Sequence, residues 1–208
     1  MKSNSRILAI LGAIVLVNGL LINGAAAADV TTLTQSCENC HGKDGVSQDP
    51  KIPTIAGNSS YYLVLAMQSF RDKSWPCEDV KYSAGPHKGE TSNMCKATEK
   101  LSDADMESIG DYYADKPFVR AKQSFDADLA KRGKGIHEMH CAKCHEDGGS
   151  SPDDDAGMLA GQWMPYLEEQ FKEYKAGKRP MPKKMQPKIE ELSQDDIKAL
   201  VQYYGSFQ

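Results

Sequence analysis

Past residue 28 the sequence has no apolar run near the roughly 20 residues a membrane-spanning helix needs, no excess of base over acid, and no sustained alternation of apolar and polar residues. The first absence predicts a soluble protein with no membrane span once a leader is removed. The second argues against a nucleic-acid ligand, whose phosphates are neutralised by lysine and arginine. The third removes the period-two signal of strands and leaves an all-α fold. The one long apolar run, Ile7 to Ile22, falls short of a span and has Asn18 and Gly19 inside it; Lys2 and Arg6 precede it and small residues from Gly24 to Ala28 follow. This is the pattern of a secretory signal peptide. An Ala-x-Ala site at Ala26 and Ala28 predicts cleavage before Asp29, so that Asp29 to Gln208 is exported to the periplasm. Losing Lys2 and Arg6 lowers Lys plus Arg from 25 to 23 against 29 Asp plus Glu, a formal charge of −6 that by itself names no partner.

Uncommitted cysteines are also scarce. Of six, four form two copies of one motif, Cys37-Glu38-Asn39-Cys40-His41 and Cys141-Ala142-Lys143-Cys144-His145, leaving only Cys77 and Cys95. A lone CxxC fits a redox dithiol or half a zinc site. The histidine that follows makes each an attachment signal for c-type heme. Two thiols three positions apart reach the two vinyl groups of one porphyrin, and the adjacent histidine meets the iron from the proximal side. Cys37, Cys40, Cys141 and Cys144 are therefore the expected attachment points of two hemes c, with His41 and His145 as proximal ligands. For Cys77 and Cys95, the last couple in an oxidising compartment, a disulfide is the default. A free Cys95 beside Met94, able to ligate iron or bind a sulfur substrate, is the alternative.

The two motifs belong to a chain written twice. Cys37 and Cys141 are 104 apart, as are Ile55-Ala56-Gly57 with Leu159-Ala160-Gly161 and Tyr62-Leu63 with Tyr166-Leu167. Past the middle of each half the offset becomes 91: Met94 matches Met185, Leu101-Ser102 matches Leu192-Ser193, and Tyr112-Tyr113 matches Tyr203-Tyr204. The first half thus carries 13 extra residues between Phe70 and Met94, the segment with both leftover cysteines. The expected layout is a first domain over 29–116, with an insertion at about 71–93, a linker over 117–124, and a second domain over 125–208. Each would be a c-type cytochrome domain built around one heme. Domains of under about 90 residues bury only about 60% of their unfolded surface and gain from a cofactor in the core. Helices are predicted over Thr31–His41, Ser59–Arg71, Leu101–Ala114 (opening on Ser102 as N-cap), Lys131–Cys144, Met164–Ala176 and Ser193–Tyr204. Lys116-Pro117 ends the first half, because a residue before proline is pushed out of the helical region.

Nine methionines compete for the distal iron positions. Met67, Met106, Met139, Met158 and Met164 are expected to be packing residues. Met94 and Met185 precede the last helix of their half by the same interval, and are the predicted distal ligands. Met181, after Pro180, rivals Met185 but has no repeat equivalent, and His87 in the insertion could in principle displace Met94. His137 and His140 are read as exposed side chains. Pro53 stands where small c-type cytochromes turn a carbonyl toward the proximal histidine; the repeat puts Gly157 there in the second half.

In the second half, the run from Ala121 to Asp126, the second heme motif, Leu159-Ala160-Gly161-Gln162-Trp163, and Arg179-Pro180-Met181-Pro182-Lys183-Lys184-Met185 resemble the diheme cytochrome subunit of flavocytochrome c sulfide dehydrogenase. The likeness runs through most of the mature chain and is specific mainly from about Lys116 onward; the insertion departs from it. The resemblance implies an electron-transfer subunit, not itself catalytic. It would take electrons one at a time from an FAD-bearing subunit that oxidises sulfide, hand them to a soluble acceptor, and hold its two hemes close together. The alternative is a free periplasmic diheme shuttle with the same ligands. A diheme enzyme such as a peroxidase or thiosulfate dehydrogenase would need an open distal position, against which two matched methionines argue.

Overall fold

The computed structural model describes residues 29–208; the predicted signal peptide lies outside the described residues. The first half opens with α1 (Val30–His41), followed by α2 (Ser60–Arg71), a two-residue β-pair β1 (Val80–Lys81) and β2 (Thr91–Ser92), α3 (Met94–Thr98) and α4 (Asp103–Ala114). The second half has α5 (Ala127–His140), α6 (Met164–Lys175), α7 (Gln186–Glu191) and α8 (Gln194–Gly205). Among the described residues the fold is all-α apart from that short pair. No helix among the described residues is long and apolar enough to cross a membrane.

Helix starts follow local chemistry. Ser102 and Ser193, which are repeat equivalents, each cap a helix by accepting from the backbone N–H of an aspartate three positions on, while that aspartate's carboxylate accepts from the cap's own N–H. This reciprocal box satisfies donors the helix cannot. The same equivalence runs through the core. Leu63, Met67, Met106, Ile109 and Tyr113 cluster in the first half; their counterparts Leu167, Phe171, Ile197, Leu200 and Tyr204 cluster in the second. Gly57 N–H donates to Tyr113 O and Gly161 N–H to Tyr204 O, both at 2.8 Å. Both glycines have positive φ, 69° and 82°. A Cβ at Gly57 would strike Phe118 and one at Gly161 would strike Arg120, so these positions admit glycine alone.

Three details differ from the sequence-based expectation. The helix predicted over Lys131–Cys144 runs Ala127–His140: Asp126 caps it at the front, and Cys141 closes it before the motif is complete. The insertion, expected to hold no strand, forms a hairpin in which Val80 pairs with Ser92 and Lys81 with Thr91. Two short helices were not predicted, α3, which Met94 opens, and α7, which Met185 immediately precedes. These two helices have five and six residues, too short for the periodicity that marks longer ones.

The halves meet along a seam with approximate two-fold symmetry. Thr54 N–H donates to Gln162 Oε1 at 3.1 Å, and Met158 N–H donates to Asn58 Oδ1 at 3.0 Å. Thr54 and Met158 are repeat equivalents, and so are Asn58 and Gln162, so the two bonds are one contact made twice. Gln162 also donates from Nε2 to Thr54 O at 2.6 Å, and Trp163 Nε1 donates to Ser47 O at 3.1 Å. The linker is pinned to this seam: Ala121 N–H donates to Gly161 O at 2.7 Å, and Gln123 Nε2 donates to Gln162 O at 2.7 Å.

Candidate heme sites

In the first motif all three functional groups, Cys37, Cys40 and His41, sit in the last turns of α1. His41 is 7% exposed, and its Nδ1 lies 2.9 Å from Pro53 O. A carbonyl only accepts, so Nδ1 carries the proton and Nε2 is left with a free lone pair for a metal. Burial lowers the pKa of His41, which keeps the ring neutral, the form that ligates. Pro53 is held in turn, because the next residue, Thr54, is bonded through both backbone groups to Gln162 of the other half. Replacing Gln162 with leucine is expected to strand the Thr54 N–H, at about 1–3 kcal/mol for a buried donor left unpaired, and to leave Thr54 O only its longer bond from Asn58 Nδ2 at 3.4 Å. Guanidinium unfolding followed at the Soret band checks this; an unchanged midpoint would show that Gln162 does not hold the seam.

The second motif is built differently. Cys141 caps α5, and Cys144 and His145 both donate their N–H to Cys141 O at 3.0 Å, forming a turn. Burial lowers the pKa of His145 as well. Gly157 occupies the place of Pro53 because the Tyr62 ring has taken the space: a Cβ at 157 would lie 2.7 Å from that ring and its hydroxyl oxygen. Behind the motif, His137 is 2% exposed with Nδ1 3.1 Å from Tyr204 Oη, and its ring packs on Tyr203 and Tyr204. The expectation of an exposed His137 is therefore overturned; it is a core side chain at the α5/α8 crossing, where Gly133 allows close approach to Ala199. His140 is partly buried, with Nδ1 3.4 Å from Glu191 Oε2. Met139, expected to be packing, is 75% exposed, whereas Met67, Met106 and Met158 are buried.

Met94 and Met185, the predicted distal ligands, are half-buried, and Met185 and Met181 both pack against the second core cluster. His87 is exposed on the hairpin with Nδ1 3.1 Å from Glu90 Oε2. Cys77 and Cys95 are disulfide-bonded with their Cα atoms 5.8 Å apart, which leaves all four motif cysteines outside any disulfide and available for heme attachment. A solvent-open cleft of about 460 Å³ beside the disulfide is lined by Trp75, Pro76, Cys77, Asn93 and Cys95, and by no motif residue.

Covalent heme is the group these residues fit. Burial raises the Cys37 thiol to about 11, and also raises Cys40 and Cys141. That is opposite to the lowered pKa of a dithiol redox site, and it costs nothing once sulfur is in a thioether. Among the described residues no group of three His, Cys, Asp or Glu side chains could hold a metal ion, so zinc at either CxxC lacks its remaining ligands. The seam also contains a buried cation that has ring contacts with Trp75 and Tyr174 and one long ion pair. Arg179 is 5% exposed, its guanidinium carbon lies 3.7 Å from the Trp75 ring centroid, its nearest carboxylate oxygen, on Glu173, is 3.9 Å away, and its Nε has no hydrogen-bond partner. A buried cation of this kind calls for an anion, which a heme propionate carries.

The contacts missed in the sequence are those of the seam. Asn58 and Gln162 are both amides at equivalent repeat positions, a signal that extending the repeat by one position beyond Gly57 and Gly161 would have found. Nothing comparable marks Arg179, which falls where the repeat register shifts and has no defined equivalent in the first half.

Residues 128–203 match the family described as cytochrome C oxidase, cbb3-type, subunit III. The chain is 29% identical over 184 residues to cytochrome c4 of Stutzerimonas stutzeri, covering 80% of this chain and 82% of that protein. It is 31% identical over 80 residues to cytochrome c-554(548) of Halomonas halodenitrificans, covering 38% of this chain and 82% of that protein. Among solved structures, reduced recombinant cytochrome c4 from Pseudomonas stutzeri superposes with a TM-score of 0.68 at 26% identity, covering 88% of this chain and all of that one. The resemblance seen in the sequence thus holds as far as a diheme cytochrome c. The relatives bear the name cytochrome c4, not that of a flavocytochrome subunit.

Proposed function

Because the chain belongs to the c-type cytochromes and carries two covalently bound hemes c, we propose that it is a free diheme electron shuttle of the periplasm. The chain-length match to cytochrome c4, across both halves, carries this reading over the flavocytochrome one. Heme c, when bound, supplies a reversible one-electron iron couple. The chain supplies everything that fixes its behaviour. Cys37 and Cys40 hold the first heme and Cys141 and Cys144 the second. His41 presents Nε2 because Pro53 O engages Nδ1, and His145 plays the same part from the turn after α5. Met94 and Met185 take the distal positions, Met185 over Met181 because it alone has a repeat equivalent. A thioether raises the potential and closes the site to substrate, so neither half is built for catalysis. The seam that locks the halves suits intramolecular exchange.

The subunit reading retains one support, the wording of the stretch from Arg179 to Met185 and its neighbours in the second half. Native purification separates the two. A shuttle is expected to elute without flavin and to exchange electrons with a soluble mono-heme c-type cytochrome; stoichiometric co-eluting flavin would establish the subunit instead.

The cysteine assignments make a simpler prediction. Alkylation of the unfolded, unreduced holoprotein should label no cysteine, since four are thioethers and two are a disulfide. Labelling of Cys77 or Cys95 would revive the free-thiol alternative.

A further inference from the structure

The two halves repeat each other, but their attachment motifs do not face solvent alike. In the first half the hairpin of the insertion lies on the motif. Asn39, between the two cysteines, has its carbonyl oxygen bonded by Ser83 N–H at 2.9 Å, Ala84 N–H at 3.1 Å and Ser83 Oγ at 2.9 Å. Gly85 rests so close to the Asn39 side chain that a Cβ there would overlap it, and its positive φ of 74° bends the hairpin loop over the motif. Tyr82 Oη bonds Ser92 Oγ at 3.1 Å and the disulfide ties the hairpin's base. Asn39 and Cys40 are accordingly half-buried. Their repeat counterparts, Lys143 and Cys144, are both exposed, and the second half has no equivalent of the insertion. Met139, two positions before Cys141, is 75% exposed.

We propose that the hairpin is a fixed cover over the thioether edge of the first heme, and that the second heme's edge at Lys143 and Cys144 is the port through which the molecule exchanges electrons with other proteins. Heme vinyl carbons are bonded to these cysteines, so burial of the motif is burial of that porphyrin edge. Electron transfer weakens steeply with distance, and a bound layer of chain over Asn39 holds a protein partner back from the first heme. Each exchange moves one electron from a reduced donor cytochrome to one ferric heme of this chain, with no bond made or broken. The first heme then communicates with the outside through the second. This inference rests on the shuttle reading.

Two measurements test it. In the ferrous holoprotein, a soluble gadolinium chelate is expected to broaden the backbone NMR signals of Lys143 and Cys144 and to spare those of Asn39 and Cys40. Replacing Tyr82–Glu90 with Asn-Gly closes a two-residue turn between the paired Lys81 and Thr91 and leaves the disulfide and Met94 in place; in that variant Asn39 should broaden too. Ser83→Pro, which removes both a donor N–H and the hydroxyl, is expected to do the same in smaller measure. Equal broadening of Asn39 and Lys143 in the native hairpin would overturn the cover. For the port, Met139→Cys and Ser83→Cys are each labelled with a polyethylene-glycol maleimide, and electron exchange with a mono-heme c-type cytochrome is followed by stopped flow. The label at 139 should slow reduction of both hemes at least about tenfold, the label at 83 should not, and shortening the hairpin should restore a fast phase in the 139-labelled protein. An unlabelled protein that fails to exchange at all refutes the shuttle reading and the port with it. Fast unlabelled exchange that the 139 label leaves unchanged refutes the port alone.

Discussion

Replacing Cys141 and Cys144 with serine is expected to yield a protein with one covalent heme and a second half that no longer folds cooperatively. A unit of this size buries too little of its own surface to stand without filling its centre. The eight buried side chains of its cluster, Leu167, Phe171, Ile189, Leu192, Ile197, Leu200, Val201 and Tyr204, gather around the side of the chain that also carries Cys141, Met181 and Met185. Intact mass should show the loss of one heme per chain. Calorimetry should show the transition of the second half lost or shifted strongly downward. The effect should reach the first half, because Gln162 would no longer hold Thr54 and so would release the carbonyl of Pro53 beside His41. Two hemes per chain in the double-serine protein would contradict the attachment assignment outright.

The second large effect concerns the distal positions. Replacing Met94 or Met185 with alanine should open one heme to water, convert its ferric form to high spin, and lower its potential by on the order of 0.1 V, a modest part of the roughly 0.8 V that axial ligands span. Each substitution should act on its own heme, so a redox titration should resolve one shifted wave and one near its native position. Met181→Ala is expected to leave both waves in place. If Met181→Ala shifted the potential and Met185→Ala did not, the second distal ligand would move by four positions and the repeat would no longer govern that loop.

The parts of this molecule that were legible in advance are those where the chain states its chemistry locally. The helices capped by Ser59, Ser102 and Ser193 begin where a hydroxyl precedes a helical pattern. Both motifs announce themselves by spacing, and the doubled pattern predicts matching cores. What could not be read depends on partners distant in sequence. His137 sits on a helix of otherwise polar stretches, and only the fold reveals that Tyr203 and Tyr204, from the last helix of the chain, close over it. Arg179 looks like one more surface cation until Trp75 is found against it. Gly157 reads as a gap in the repeat until Tyr62 is seen to fill the space. The hairpin depends on pairing across an insertion with no repeat copy, and two-residue strands leave no alternation to detect.

If methionine closes the distal side of the heme in both halves, the chain carries electrons and does not turn over substrate. Near-infrared absorption of the ferric protein tests it most directly. Two methionine-closed hemes give the weak methionine-to-iron band at an intensity corresponding to two hemes per chain; a band accounting for one heme, together with a high-spin ferric signal from the other, would show one distal side open and make that half a site of catalysis.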